Sequence, residues 1–289
     1  MTPPVVLSIA GTDSGGAAGL AADLATFAAL GVHGACVVTA VTAQDTTGVR
    51  AVHAVPLDIV AAQLEAVLVD LPVAVVKTGM LADPAVVRLV AERCAHLPLV
   101  VDPVLRATTG ARLADSDVLQ AYRDDLLPAA SVVTPNVAEA AVLLGRYAEP
   151  DHLAADLAGC GPAVVVTGGD AGTGDCVDWL AVPGHAPEPL SHPRVPTGND
   201  HGTGCTFSAA LAVGLLPEHP PKPPAHTAGP RSGPALDRLR WIVRQAAAFT
   251  AAQLRISSSW DLGRGRGPIA HFTSPTTTAR TSPQEEPDE

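Results

Sequence analysis

The segment His201-Gly202-Thr203-Gly204-Cys205-Thr206 runs small residues straight into an apolar stretch. Backbone N–H groups at a helix start have no carbonyl partner in their own helix. Together with the helix dipole they make an anion site, so Gly202, Thr203 and Gly204 could receive a phosphate in transfer. The same field lowers a thiol's pKa, so Cys205 is expected to be available there as a base. A plain capped helix with a buried cysteine would carry the same residues. A second segment reads Gly11-Thr12-Asp13-Ser14-Gly15-Gly16-Ala17-Ala18-Gly19. It is no Walker A loop, because Ala17-Ala18 stand where Lys-Ser/Thr is required, and it lacks the GxGxxG dinucleotide fingerprint. Its glycines permit close approach of a ligand to backbone, or simply a tight turn. In Thr134-Pro135-Asn136-Val137-Ala138-Glu139, the residues Asn136 and Glu139 are three apart and share one face of a first helical turn. An amide oxygen and a carboxylate suit Mg²⁺ held largely through water. A helix-capping box has the same signature.

These segments need rigid elements to aim them. Residues 5–10, 36–41, 73–77, 99–102, 131–134 and 163–167 are short apolar runs of the kind that buried parallel strands show. Residues 19–30, 57–69, 84–95, 116–127, 137–144, 205–215 and 236–254 have helical spacing, with Pro84 suited to a first turn. Residues 176–182 suit an antiparallel edge strand. Strand–helix alternation predicts an α/β fold, a mainly parallel central sheet with helices on both faces. Residues 217–234 hold seven prolines and read as a loop inside one domain spanning 4–272. Residues 273–289 are almost free of apolar side chains and are expected to stay disordered.

Composition narrows the function classes. Of 289 residues, 47% are hydrophobic and only 3% aromatic, so a sizeable core must be built from Ala, Val and Leu. Lys and Arg number 18 against 29 Asp and Glu, a net charge of −11, which disfavours nucleic acid and anionic membrane surfaces as partners. No apolar run reaches the roughly 18–20 residues of a membrane span. The N-terminus lacks the basic region of a signal peptide, and the five cysteines form no CxxC pair. A reduced, cytoplasmic protein is expected.

Taken together, the chain resembles the hydroxymethylpyrimidine/phosphomethylpyrimidine kinases of thiamine biosynthesis, in the ribokinase-like superfamily. The resemblance runs through most of residues 5–216. It rests on the 8–16 segment with Gly19 and Ala22-Asp23-Leu24, and on Thr39-Ala40-Val41-Thr42-Ala43-Gln44. Lys77-Thr78-Gly79-Met80-Leu81, Asp102-Pro103-Val104, the 134–140 segment and the 201–206 segment complete it, with a weaker match at 262–268. It implies ATP- and Mg²⁺-dependent phosphorylation of 4-amino-5-hydroxymethyl-2-methylpyrimidine and then of its monophosphate. It implies a pyrimidine lying among Gly11, Asp23, Gln44 and Met80. Cys205 takes the general base's position, with Gly202, Thr203 and Gly204 as anion hole. Asn136 and Glu139 are implied for Mg²⁺, and Thr167, Gly168 and Gly169 for the nucleotide. The family's flap lysine is Thr108 here, with Arg106 near enough to supply a cation; a C-terminal lysine is Arg264, and Asp170 replaces a histidine. Those departures keep two alternatives open, a pyridoxal-type kinase and a homologue that binds a pyrimidine without turnover. Oligomeric state is barely readable, and a homodimer is one assembly it allows.

Overall fold

Val5–Ala10 is buried at every position, as a strand covered on both sides must be, and it forms β1. The computed structural model describes residues 2–105, 114–168, 174–217 and 234–272. The further strands are β2 His33–Val38, β3 Ala40–Asp45, β4 Gly48–Ala54, β5 Val73–Thr78 and β6 Leu99–Val101. Then come β7 Val132–Val133, β8 Ala163–Val166, β9 Cys176–Ala181 and β10 Glu188–His192. The helices are α1 Gly19–Ala29, α2 Leu57–Asp70, α3 Pro84–Cys94, α4 Ser116–Ala121, α5 Leu127–Ala129, α6 Val137–Leu144, α7 Pro150–Ala158, α8 Thr203–Gly214 and α9 Pro234–Ser257. A π-helical turn, Tyr122–Leu126, joins α4 to α5, so the helix expected over 116–127 is three pieces.

The main sheet has the order β10-β9-β8-β7-β6-β5-β1-β2. Pairs from β2 to β8 are parallel, and β8–β9 and β9–β10 are antiparallel. Alternate residues feed two cores. Leu7, Val76, Val101, Val133 and Val166 pack toward α2, α3, α6 and α7. Val6, Val75, Val100, Val132 and Val165 pack toward α1, α8 and α9. The mainly parallel sheet with helices on both faces is as expected.

Three expectations change. The run read as one strand over 36–41 is two, because the chain leaves the main sheet at Thr39 and enters a separate hairpin, β3–β4. Its β4 is almost wholly exposed, so no burial pattern marks it. The strand over 176–182 is antiparallel, but β10 lies beyond it and forms the edge. α7 was not anticipated. Much of the proline-rich 217–234 segment and the 273–289 tail lie outside the described residues.

The chain order reverses between β1 and β5, where connections diverge to opposite sides. Ligands of open α/β sheets bind in the crevice at such a point, outside the carboxyl ends of the strands. The glycine loop after β1, Gly79-Met80 after β5, Asp102 after β6, Thr134 after β7 and Thr167 after β8 all lie along that edge.

Candidate active site

One cavity of about 920 Å³ runs along this edge. Gly11, Gln44, Met80, Asn136, Glu139, Thr167, Gly168, Gly202, Thr203, Gly204 and Cys205 all line it, so the fold joins segments up to two hundred residues apart. Gly169 and Arg106 lie outside the described residues, as do Thr108 and Asp170.

The glycine loop is built around Asp13. Its carboxylate accepts the N–H groups of Gly15 (2.8 Å), Ala17 (3.2 Å) and Ala18 (2.9 Å) and contacts His201 Nε2 at 3.1 Å. Burial pushes this carboxyl up, but the His201 contact and the Gly15 and Ala18 N–H groups outweigh it and hold Asp13 below its ordinary value. β3 is tied to the loop: Gln44 N donates to Ser14 Oγ at 2.8 Å, and Ser14 Oγ donates to the Gln44 carbonyl at 2.7 Å. A Cβ at Gly11 would stand 2.4 Å from Met80 Cε, so that glycine makes room for the methionine at the cavity wall.

α8 begins at Gly202, whose φ of +93° is left-handed. A Cβ there would stand 1.8 Å from the Ala17 carbonyl, so only glycine lets the helix start pack on the glycine loop. Among the described residues nothing lies within 4 Å of a Cβ at Gly204, whose small size instead leaves the anion site open. Gly202→Ala is therefore expected to cost at least the roughly 1–3 kcal/mol of a non-glycine residue held at positive φ, plus the overlap. Gly204→Ala should keep stability within about 0.5 kcal/mol of the parent while raising KM for the phosphate donor. Denaturant unfolding and initial-rate kinetics read both.

Beneath Cys205 lies a buried charge network. Lys77 Nζ donates to both oxygens of Asp23 (2.8 and 2.9 Å) and sits 3.7 Å from Asp102. Ser8 donates to Asp23 at 2.5 Å, and Ser208 to Asp102 at 2.8 Å. Burial disfavours the charged form of Lys77, but the Asp23 and Asp102 carboxylates hold it protonated above its usual range. This corrects the expectation for Asp23: it is fully buried, absent from the cavity wall, and spends both oxygens on Lys77.

Cys205 is corrected too. Burial, with the charges of Asp102 and Asp23, pushes its thiol up to about 12, against the pull of Lys77 and the Gly19 N–H. Burial of the thiol is the main cause, and it outweighs the helix field expected to lower the pKa.

Asn136 and Glu139 form the capping box in full. Asn136 Oδ1 accepts Glu139 N–H at 2.9 Å, and Glu139 Oε2 accepts Asn136 N–H at 3.0 Å. Burial and the nearby Asp102 charge nevertheless push the Glu139 carboxyl up to about 8. Such a group is protonated in the fold where the unfolded chain is ionised. Its stabilising share is complete below about pH 4.5 and is lost as pH rises through about 8. Glu139→Gln keeps the capping oxygen, so it should flatten this loss; unfolding at about pH 6 and about pH 9 checks it.

Arg264 does not line the cavity. It is exposed, its N–H donates to Thr46 Oγ1 at 3.1 Å and its side chain lies 3.8 Å from Asp45. Two residues on, Arg266 does line it, bonded to Asp200 at 2.6 Å. At the other end Gly168 N donates to Asp178 at 3.0 Å, and Asp178 meets His192 at 3.1 Å. A Cβ at Gly168 would stand 1.9 Å from the Val177 carbonyl. Asp13, Asp102, His201 and Arg266 had no role assigned from sequence. Lys77 carried the clearest signal, since a lysine inside the buried strand β5 requires a buried carboxylate.

The fold and this cavity define a kinase of the ribokinase-like class. The model of the family described as phosphomethylpyrimidine kinase matches residues 13–229. The chain belongs to that family. A Rhizobium meliloti relative named hydroxymethylpyrimidine/phosphomethylpyrimidine kinase is 42% identical, covering 93% of this chain and 97% of that one. The solved phosphomethylpyrimidine kinase of Clostridium difficile is 33% identical with a TM-score of 0.62, covering 72% of this chain and 89% of that one. Staphylococcus aureus pyridoxal kinase, in complex with AMP-PCP and pyridoxal, is 28% identical with a TM-score of 0.76, covering 94% of each chain.

Proposed function

We propose that the protein transfers the γ-phosphoryl group of ATP to the hydroxymethyl group of 4-amino-5-hydroxymethyl-2-methylpyrimidine, and then phosphorylates the monophosphate to the diphosphate used for thiamine. The observation that carries this is the continuity of the cavity described above. It sets the Gly11–Gln44–Met80 wall beside the α8 N-terminus and continues to Thr167-Gly168. Asp178 and the apolar α9 residues Ala247, Ala251 and Leu254 line the same cavity, giving a heteroaromatic base an apolar surface.

Within this reading, Gly202 and Gly204 hold the phosphoryl group on N–H groups that have no helical partner, and Thr203, whose N–H donates to the Asp200 carbonyl at 3.2 Å, completes the turn. Cys205 can accept the hydroxyl proton only as the thiolate, so its own Sγ proton must first pass to solvent; Lys77 and the Gly19 N–H favour that ionised form against burial. In a loose phosphoryl transfer the hydroxyl proton leaves late, so a small thiolate fraction carries the turnover. Asp102 and Glu139 would hold Mg²⁺. Lys77 is committed to Asp23, and both carboxyls are raised by burial and by unrelieved negative charge, which a hard cation would offset. No group of three His, Cys, Asp or Glu side chains among the described residues is arranged around one metal point, in keeping with a cation held mainly by water and phosphate. When bound, Mg²⁺ supplies charge neutralisation. Asn136 then acts by fixing Glu139 through the cap.

We infer a cytoplasmic enzyme: all five cysteines are free thiols, and among the described residues no helix is long and apolar enough to cross a membrane. The described residues of one chain supply both halves of the cavity, so a homodimer would not be needed to complete it. The TM-score of 0.76 to a pyridoxal kinase favours pyridoxal as the second reading of the acceptor. Mass spectrometry of products from ATP, Mg²⁺ and the pyrimidine alcohol tests the proposal. Sequential mono- and diphosphate is expected; phosphorylation of pyridoxal alone would overturn it.

A further inference from the structure

We propose that Asp13 and His201 position Gln44 so that its NH₂ group, rather than its carbonyl oxygen, faces the substrate. Resting on the pyrimidine reading above, this deepens it: the acceptor molecule must present a hydrogen-bond acceptor at that point, as the ring nitrogen of an aminopyrimidine does. The argument starts from Asp13. Its carboxylate takes three backbone N–H groups and is held ionised, and an ionised carboxylate is acceptor-only. Its 3.1 Å contact with His201 Nε2 therefore requires a hydrogen on that nitrogen. The neutral tautomer that satisfies Asp13 and the doubly protonated ring both carry it.

The Gln44 amide nitrogen lies 3.1 Å from the same Nε2, a position that a half-turn of the amide exchanges with its oxygen. An NH₂ group there would set donor against donor, so the oxygen of Gln44 must face His201 and share its hydrogen with Asp13. The amide nitrogen then takes the other side of the group. Ser14 fixes the main chain of Gln44 in both directions, so the side chain starts from a set point. Asp13, Gln44 and His201 all line the cavity beside Met80. A ligand edge that offers a hydrogen to Gln44 meets a donor and leaves two buried donors unpaired, which is how a site rejects an analogue. Asp13 and His201 are thus positioning residues, acting through Gln44.

Two measurements on the full-length protein test this. In ¹⁵N-histidine-labelled, ligand-free protein, imidazole spectra should show His201 with a protonated, pyrrole-type Nε2 across neutral pH. The signal is identified by its loss in His201→Gln and, should that variant not fold, by its shift in Gln44→Glu. A pyridine-type Nε2 would overturn the proposal. Calorimetric titration with the aminopyrimidine alcohol and with its 4-oxo analogue, whose ring nitrogen carries a hydrogen, should give at least ~10-fold tighter binding of the amino compound. Gln44→Glu, an acceptor-only side chain, should cancel or reverse that preference. Equal discrimination by Gln44→Glu and the parent would overturn the proposal. Binding of neither pyrimidine would overturn the substrate reading alone, and the imidazole spectrum would still decide the orientation.

Discussion

Replacing Cys205 with Ala is expected to lower kcat by roughly 10²–10⁴, the range of a lost proton acceptor, with little change in KM. Cys205 lines the cavity in the first turn of α8, beside the N–H groups assigned to the phosphoryl group. Its thiol, pushed up to about 12, is un-ionised in the free protein. Only the thiolate can take the hydroxyl proton, so kcat is expected to climb with pH through neutrality. A profile flat there apart from the carboxyl titrations would mean that the proton leaves by another route. If Cys205→Ala retains near-full kcat, the residue is packing only.

The second large effect is structural. Lys77→Met is expected to destabilise the protein by about 3–5 kcal/mol, the cost of leaving buried carboxylates without their cation. Lys77 and Asp23 have no exposed side-chain surface, and Asp102 has 6%. Methionine fills the space but offers no donor, so Asp23 and Asp102 would have to take up protons. Adding Asp23→Asn to Lys77→Met should recover part of the loss, because the two residues are one unit. Urea unfolding of the single and double variants measures this. A loss below about 1 kcal/mol in Lys77→Met would contradict the network as drawn.

The same residues show what was legible in the sequence. Strands β1, β5, β6 and β8 could be read because burial on both faces leaves unbroken apolar runs. The turn into α8 could be read because Gly202 and Gly204 lie beside an apolar run, although the helix starts at Thr203, two residues before the expected 205. β3–β4 could not, because β4 is exposed and the chain changes sheets at Thr39 without a glycine or proline to mark it. Asp23 was misplaced because a carboxylate in a glycine-loop helix looks the same whether it faces ligand or core. Only its partner Lys77, 54 residues on, decides the matter. Arg264 and Arg266 differ by two positions in a glycine-rich segment with no periodicity to orient them. The expected fall in the Cys205 pKa failed because burial opposes it, helped by Asp102 and Asp23, and all of these come from distant segments packing over the thiol.

The central claim is tested most directly by a coupled ADP-release assay with Mg²⁺-ATP and, in turn, the hydroxymethylpyrimidine, its monophosphate and pyridoxal. The account predicts turnover on both pyrimidines, with kcat/KM for the alcohol at least ~10-fold above that for pyridoxal, the discrimination expected from buried polar groups left unpaired. A higher kcat/KM on pyridoxal, or no ADP release with either pyrimidine, would contradict it.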